Sequence, residues 1–359
     1  MRRILIAAFA LAALSAASLS TTTGSANACA GLIGSNGAVN LGRTTTLAAY
    51  HDGVEHYVTS FEFQGGGGEF GTLIPLPGVP TSVEKGGSWT LQRLRLETDP
   101  VFVNQSGRPA APATGAAYDK AEVILEAKVD ALDLKVLRGG GPAVAEWATE
   151  HGFRLSPDAP EVLDFYAERS PIFLAAVFDS ELAEESGQGL GDGTPVHITI
   201  PTDNPWVPLR ILGLGKQAED FVQADVYLLT DEEPELLPGL RKGLTLAHSA
   251  EATNLLLNDL RSDENSAWVP ESAWLTKIEI NSFARDLKYD LAVDPTGDGA
   301  PSRVAAGLER PQPQQATDDA FIVEDEGDGP NALAWALGGA AVVALLAVPA
   351  LWVGATRRR

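Results

Sequence analysis

The stretch TTTLAAYHDGVEHYVTSFEF, residues 44–63, decides the fold class because it has the pattern of a β-hairpin. Two segments rich in β-branched and aromatic residues flank Asp52-Gly53, a dipeptide that favours a tight two-residue turn. Such a turn brings one apolar set to a single face, which we expect to be buried. This set comprises Ala48, Tyr50, Tyr57, Thr59, Phe61 and Phe63.

Strand patterns dominate the rest of the chain, with a few short helices between them. At residues 121–137 apolar residues alternate with charged ones and the phase slips by one, which predicts one long strand with a β-bulge. Helices are predicted at residues 89–96, with Ser88 as N-cap, and at residues 142–147, 160–169 and 250–261. The last helix should bury Ala252, Leu255, Leu256 and Leu260. We therefore expect an α+β fold: a β-rich domain with a few short helices, plus one C-terminal transmembrane helix.

The C-terminal segment at residues 332–355 has the composition of a membrane-spanning helix. It contains no charged residue, and ~20 apolar helical residues are enough to cross a bilayer. Trp335 and Trp352 lie near its ends, where aromatic rings favour the headgroup level. Arg357, Arg358 and Arg359 follow, and the positive-inside rule predicts that the tail at residues 356–359 stays in the cytoplasm.

The N-terminus has the parts of a secretory signal peptide at residues 1–28. Two arginines precede an apolar run, and the small residues Ala26 and Ala28 match a cleavage site that would leave Cys29 first. Cys29 is the only cysteine, so no internal disulfide can form. Lipidation of Cys29 stays open as an alternative, although Ala26 stands where a lipobox has a large aliphatic residue.

These ends imply an extracellular domain at residues 29–293 and an acidic, Pro/Gly-rich stalk at residues 294–331, which we predict to be flexible. The whole chain has 26 Lys and Arg against 48 Asp and Glu, a formal net charge of -22. Such a field repels nucleic acid and anionic lipid and is compatible with cation contacts. We therefore expect no nucleic-acid partner.

The chain contains several short motifs in a characteristic order and spacing. The clearest are Phe61-Glu62-Phe63-Gln64-Gly65, Glu69-Phe70-Gly71, Ile74-Pro75-Leu76-Pro77-Gly78-Val79-Pro80 and His151-Gly152-Phe153. With these motifs, about residues 29–230 resemble the bacterial family called domain of unknown function 2330. The resemblance implies an exported, often membrane-anchored bacterial protein, and it supplies no activity, cofactor or catalytic residue.

The sequence carries no recognisable catalytic motif, neither G-x-S-x-G nor H-E-x-x-H. In the predicted hairpin, His51 and His56 lie on one face, diagonally adjacent, so they are candidate metal ligands if another strand adds an acid. The interpretation we favour is that they are two polar residues on a solvent-facing strand surface. No catalytic residue, no cofactor and no metal is assigned.

The expected function is that of a non-enzymatic module at the plasma membrane. It would cross the membrane once, with its N-terminal domain outside, and bind an envelope protein, wall glycan or divalent cation. The alternative is a cell-envelope enzyme, a hydrolase or metal-dependent, whose site is assembled from residues distant in sequence. A purely structural spacer is the third possibility.

Overall fold

The computed structural model describes residues 31–34, 37–38, 44–61, 70–99, 121–178, 193–240 and 242–311. The predicted signal peptide, the processing pair Ala28 and Cys29, and the predicted membrane helix with its basic tail lie outside these residues. Within the described ranges, no helix is both long and apolar enough to cross a membrane.

The described chain is β-rich with a few short helices, which confirms the α+β expectation. Its helices are α1 (Thr90–Thr98), α2 (Gly141–Glu150), α3 (Ala159–Ala167) and α4 (Asn254–Ser262). Its strands are β1 (Gly31–Gly34), β2 (Gly37–Ala38), β3 (Thr44–His51), β4 (Val54–Phe61), β5 (Phe70–Pro75), β6 (Ser82–Lys85), β7 (Glu122–Val129), β8 (Leu132–Arg138), β9 (Ile172–Phe178), β10 (Thr194–Pro201), β11 (Trp206–Val207), β12 (Phe221–Thr230), β13 (Glu235–Leu237), β14 (Leu244–Glu251), β15 (Trp274–Phe283) and β16 (Leu291–Asp294).

The strands form three sheets. A seven-stranded sheet has the order β14-β15-β12-β3-β4-β10-β6, and a six-stranded sheet has the order β2-β1-β5-β9-β8-β7. A small sheet, β11-β16-β13, completes the set. Neighbouring strands pair antiparallel except β12 and β3, which run parallel.

The two large sheets pack face to face, and helices cover both outer faces. Alternate residues of both sheets fill the central core, such as Ile198 and Val226 from one sheet and Leu134 and Leu174 from the other. Helices α2 and α3 cover the outer face of the six-stranded sheet. Helices α1 and α4 cover the outer face of the seven-stranded sheet. The layers therefore run helix, sheet, sheet, helix.

The predicted hairpin at residues 44–63 is confirmed as β3 and β4, with Ala48 opposite Tyr57 and His51 opposite Val54. Asp52 and Gly53 have φ values of 49° and 78°, the left-handed conformation of a two-residue turn. Of the expected face, Ala48, Tyr57 and Thr59 are buried, and Ala48 and Tyr57 belong to the core between the sheets, whereas Phe63 lies outside the described residues. The opposite face is buried as well, because α1 and α4 pack on it.

The prediction of one bulged strand at residues 121–137 is wrong. The segment folds into two antiparallel strands, β7 and β8, with Val129 opposite Leu132. Asp130 has a φ of 50° and turns the chain together with Ala131. A two-residue reversal shifts the alternation by one, as a bulge does, so the pattern did not distinguish the two.

Two helix predictions also need correction. Residues 244–251 form β14, and α4 begins only after Thr253, whose hydroxyl accepts a 3.1 Å hydrogen bond from the Leu256 amide. Leu257 is buried in α4, whereas Leu255 is 67% exposed. In α1, Ser88 is not the N-cap and caps no amide with its side chain.

The amides at the start of α1 are satisfied from elsewhere in the chain. The carboxylate of Asp263 accepts hydrogen bonds from the backbone N–H groups of Ser88 and Trp89, at 3.1 and 3.0 Å, and from the Thr90 hydroxyl at 2.8 Å. Asp263 follows α4 directly, so the two helices of this layer are joined at their ends.

The folded part continues beyond Val293, where the predicted domain ended. Ala305 and Ala306 are buried beside α3, and the Asp290 amide donates to the Ala306 carbonyl at 3.1 Å. Gly307 lies against the ring of Phe165, where a Cβ atom would clash. Small residues can thus pack closely even in an acidic, proline-rich segment. Residues up to Pro311, which include the first part of the predicted stalk, therefore pack in the same compact unit as the domain.

Candidate functional site

The two histidines predicted as candidate ligands lie on the same hairpin face, but they have different partners. His51 hydrogen-bonds to Asp231 at 2.5 Å. His56 Nδ1 lies 2.9 Å from Nε2 of His197, which comes from β10. The ring of Trp268 stacks on His56 at 4.3 Å between centroids. The strand surface at His56 is therefore covered by Trp268, which corrects the solvent-facing interpretation.

Burial and mutual repulsion keep this histidine pair neutral. Burial lowers the pKa of His56 to about 4, with a further contribution from His51, and lowers the pKa of His197 to about 4, with a contribution from His56. Glu84 lies 3.3 Å from His197 Nδ1, the ring nitrogen opposite the one that faces His56. His56 and Glu84 therefore lie at opposite nitrogens of the His197 ring, and a single metal ion could not bind all three side chains. No metal-binding group of three His, Cys, Asp or Glu occurs in the described part of the chain.

A fully buried carboxyl group lies at the turn end of the same hairpin. Burial raises the pKa of Glu55 to about 8, and the backbone N–H of Trp206 offsets this only in part. Neither carboxylate oxygen has a hydrogen-bond partner of normal geometry among the described residues. At neutral pH Glu55 is therefore mostly protonated.

A cleft of about 320 Å³ opens between α1 and the seven-stranded sheet, at the ends of β3 and β4 that lie away from their hairpin turn. The strand register explains its floor: Ser60 pairs with Pro195 of β10, and Thr45 pairs with Asp225 of β12. The α1 side contributes the remaining polar groups. The cleft is lined by Thr45, Ser60, Gly87, Ser88, Leu91, Gln92, Arg95, Gly193 and Pro195.

The polar side chains of this cleft are available for a ligand. In the described residues, the hydroxyl groups of Thr45, Ser60 and Ser88 and the amide of Gln92 have no hydrogen-bond partner. Thr45 is only 6% exposed. Among the described residues of the lining, Arg95 is the one that is charged; its side chain is 63% exposed, and its Nε lies 3.7 Å from Asp99. The cleft thus offers hydrogen bonds and a single cation.

A buried lysine lies beside this cleft, and sequence reasoning missed it. Lys277 is 1% exposed, and its Nζ lies 2.5 Å from Asp99, 3.3 Å from Glu279 and 3.9 Å from Asp225. Burial alone would lower its pKa, but the hydrogen bond to Asp99 and the surrounding negative charges raise it. The alternation at residues 275–280 could have identified it, because Lys277 lies on the same face of β15 as Leu275, which the helices cover.

A cavity of about 580 Å³ near the opposite helix layer adjoins a structural network centred on Asp290. Asp290 accepts hydrogen bonds from the Tyr166 hydroxyl at 2.8 Å and from the amides of Leu209 and Arg210 at 2.8 and 3.0 Å. Arg169 pairs with its other oxygen at 2.5 Å. This network joins α3 to the strands that follow it, so we assign it to folding.

Comparisons with known proteins add a family but no activity. A family model described as "Uncharacterized protein conserved in bacteria (DUF2330)" matches residues 23–235. No curated protein matches. Baculovirus P35 shows 9% identity and a TM-score of 0.36, covering 70% of this chain and 96% of that chain. The caspase-8/P35 complex gives 10% identity and a TM-score of 0.34, covering 70% and 90%. These likenesses are too low to support an argument.

Proposed function

The chain belongs to the DUF2330 family of uncharacterized bacterial proteins, and we propose that it is a membrane-tethered cell-surface module that binds a small polar ligand without transforming it. The observation that carries this proposal is the cleft beside α1. Its hydroxyl and amide groups have no hydrogen-bond partner among the described residues, so they can bind a polar ligand in exchange for water.

The residues of the cleft indicate the chemistry of the ligand. Arg95 supplies a cation in a chain whose net charge is -22, so a carboxylate on the ligand would find its counter-charge there. Thr45, Ser60 and Gln92 can bind hydroxyl or amide groups. A wall fragment that carries a carboxylate, such as a short peptide or an acidic sugar, combines these features.

The proposed location rests on the two ends of the chain. A signal peptide at residues 1–28 would export the domain, and the apolar segment at residues 332–355 would hold it in the plasma membrane. Removal of all residues from Ala332 onward should release the protein into the medium. Retention in the membrane fraction would point to lipidation of Cys29 instead.

The enzyme alternative has less support. Catalytic groups usually combine a perturbed pKa with a place in a cleft. Glu55, His56 and His197 have perturbed pKa values, but none of them lines the cleft beside α1. The cleft therefore supports binding better than catalysis.

Thermal unfolding of the full-length protein tests the ligand site. A ligand that binds only the folded state raises the midpoint, and above the dissociation constant the shift grows with the logarithm of the ligand concentration. Muramyl peptides, neutral wall glycans and divalent metals would be compared. We expect a concentration-dependent shift with the carboxylate-bearing fragments, lost in Thr45→Val and Arg95→Gln.

The matched control is Arg138→Gln, because Arg138 is also a half-exposed arginine with a loose ion pair, 3.9 Å from Glu122. It should keep the full shift. No shift with any of the three ligand classes, or an equal loss in the control, would contradict the proposed site.

A further inference from the structure

A second cavity, about 360 Å³, lies at the opposite end of β14 and β15 from α4. Three cations line it: Lys242, which precedes β14, Arg285 from the short 3-10 turn Ala284–Asp286, and Lys288. Asp286 is the single carboxylate among the described residues that line it. The cavity is distinct from the cleft beside α1 and shares no residue with it.

The charge of this cavity is opposite to that of the chain. Lys242 Nζ lies 3.6 Å from Asp286, and Arg285 Nε lies 4.0 Å from the other oxygen of the same carboxylate. Arg285 also pairs with Glu219 at the rim. Lys288 has no ion pair among the described residues. Even with Glu219 counted, one positive charge remains in surplus, whereas the whole chain has 48 acids for 26 cations.

Apolar side chains form about half of the cavity wall. Leu209 and Leu287 are buried beneath it, and Pro238 and Leu244 form its sides. The ring of Tyr289 is 40% exposed at its edge. Cavities of this size with a few placed polar groups suit small molecules that bury an apolar body and point a polar group at the charges.

We propose that this cavity binds a phosphate ester whose phosphate contacts Lys242 and Lys288 and whose apolar body lies against Leu287 and Tyr289. Phosphate fits better than carboxylate because the fork of the one arginine is already engaged by Glu219, whereas lysine ammonium groups bind phosphate as point charges. The ester could be a free small molecule or a lipid headgroup. The proposal does not depend on the function proposed above.

Calorimetric titration and thermal unfolding of the full-length protein test this site with phenyl phosphate, inorganic phosphate and benzoate as probes. We expect phenyl phosphate to bind most tightly, because only it offers both the phosphate and the apolar body. Lys288→Ala should weaken it about tenfold, as expected for the loss of one charge-assisted contact, and added salt should weaken it further. Lys288→Glu should abolish binding.

Lys128→Ala is the control, since Lys128 is an exposed lysine on β7 and the charge change is the same. It should leave the affinity for phenyl phosphate unchanged. Saturable binding of benzoate but not of phenyl phosphate, or an equal loss in Lys128→Ala, would overturn the proposal. So would the absence of any saturable phosphate binding.

Vesicles distinguish the two sources of the phosphate. Phosphatidylglycerol vesicles should be bound less by Lys288→Glu than by the parent, and be displaced by phenyl phosphate, if the site takes a lipid headgroup. Equal vesicle binding by both proteins, together with tight binding of soluble phenyl phosphate, assigns a free ester. Thr45→Val should bind phenyl phosphate like the parent, so a failure of the cleft proposal is separable from a failure of this one.

Discussion

Replacement of Glu55 by glutamine should change how the stability of the protein depends on pH. Glu55 is fully buried on β4, and neither of its oxygens has a hydrogen-bond partner of normal geometry among the described residues. Its folded pKa is about 8 against an ordinary value of 4.5, so the folded state holds a proton that the unfolded state loses. The stability contributed by this group is therefore complete below pH 4.5 and is lost as the pH rises to about 8.

The magnitude follows from the linkage between protons and folding. Each pH unit in this window costs about 1.4 kcal/mol, so the parent should lose roughly 2 kcal/mol between pH 6.5 and 8 through Glu55 alone. The two buried histidines lose their remaining unfolded-state protons just above pH 6.5, but this contribution is the same in parent and variant and cancels in their difference. In Glu55→Gln this loss should vanish, because the amide does not titrate. The absolute stability of the variant matters less, since a buried amide has its own unsatisfied groups.

Urea unfolding at half-unit steps from pH 6.5 to 8 measures this difference directly. The unfolding free energies of parent and variant are subtracted at each pH, which cancels every other titrating group. Glu122→Gln serves as the control, since Glu122 is an exposed glutamate on β7. A difference that stays constant across the window would refute the buried, proton-binding state of Glu55.

Two further predictions concern the outer face of the seven-stranded sheet. Burial lowers the pKa values of His56 and His197 to about 4, so their contribution to the unfolding free energy is present above pH 6.5 and is lost as the pH falls towards 4. His197→Asn should reduce this loss of unfolding free energy between pH 6.5 and 4, measured by urea unfolding. An unchanged pH dependence in the variant would contradict a buried, neutral pair. Lys277→Met should cost about 3 kcal/mol, because it removes a buried ammonium group that lies among the carboxylates of Asp99, Glu279 and Asp225. Lys135→Met, at a loose pair on β8, should cost less than about 0.5 kcal/mol in the same assay.

Local sequence patterns predicted turns and helix starts correctly where a short motif is compatible with one structure only. Asp52-Gly53 identified its hairpin, and Pro142 and Pro160 lie in the first turns of α2 and α3. At residues 121–137 a bulge and a tight reversal produce the same alternation, so a local pattern could not separate them. The close packing of Gly307 depends on Phe165, far away in the chain, and the composition of the segment does not encode such a contact.

The candidate sites were predicted less well, because they depend on strand order. His56 and His51 were placed correctly on one face, but the partner of His56 is His197, which lies on the neighbouring strand β10. The cleft brings together Thr45, Ser60 and α1 only because β3, β4 and β10 are adjacent. Strand order is a long-range property, and no spacing along the chain encodes it.

The pairing of β12 with β15 has a consequence for how the family region can be produced. The matched region ends at residue 235, but β12 is paired along its whole length with β15 at Trp274–Phe283. A polypeptide cut at residue 235 would leave ten residues of β12 as an open edge, with a row of unpaired N–H and C=O groups that can template aggregation. It would also lose Asp263 from the start of α1. The smallest self-sufficient unit thus reaches Pro311, some distance beyond the part by which the family is identified.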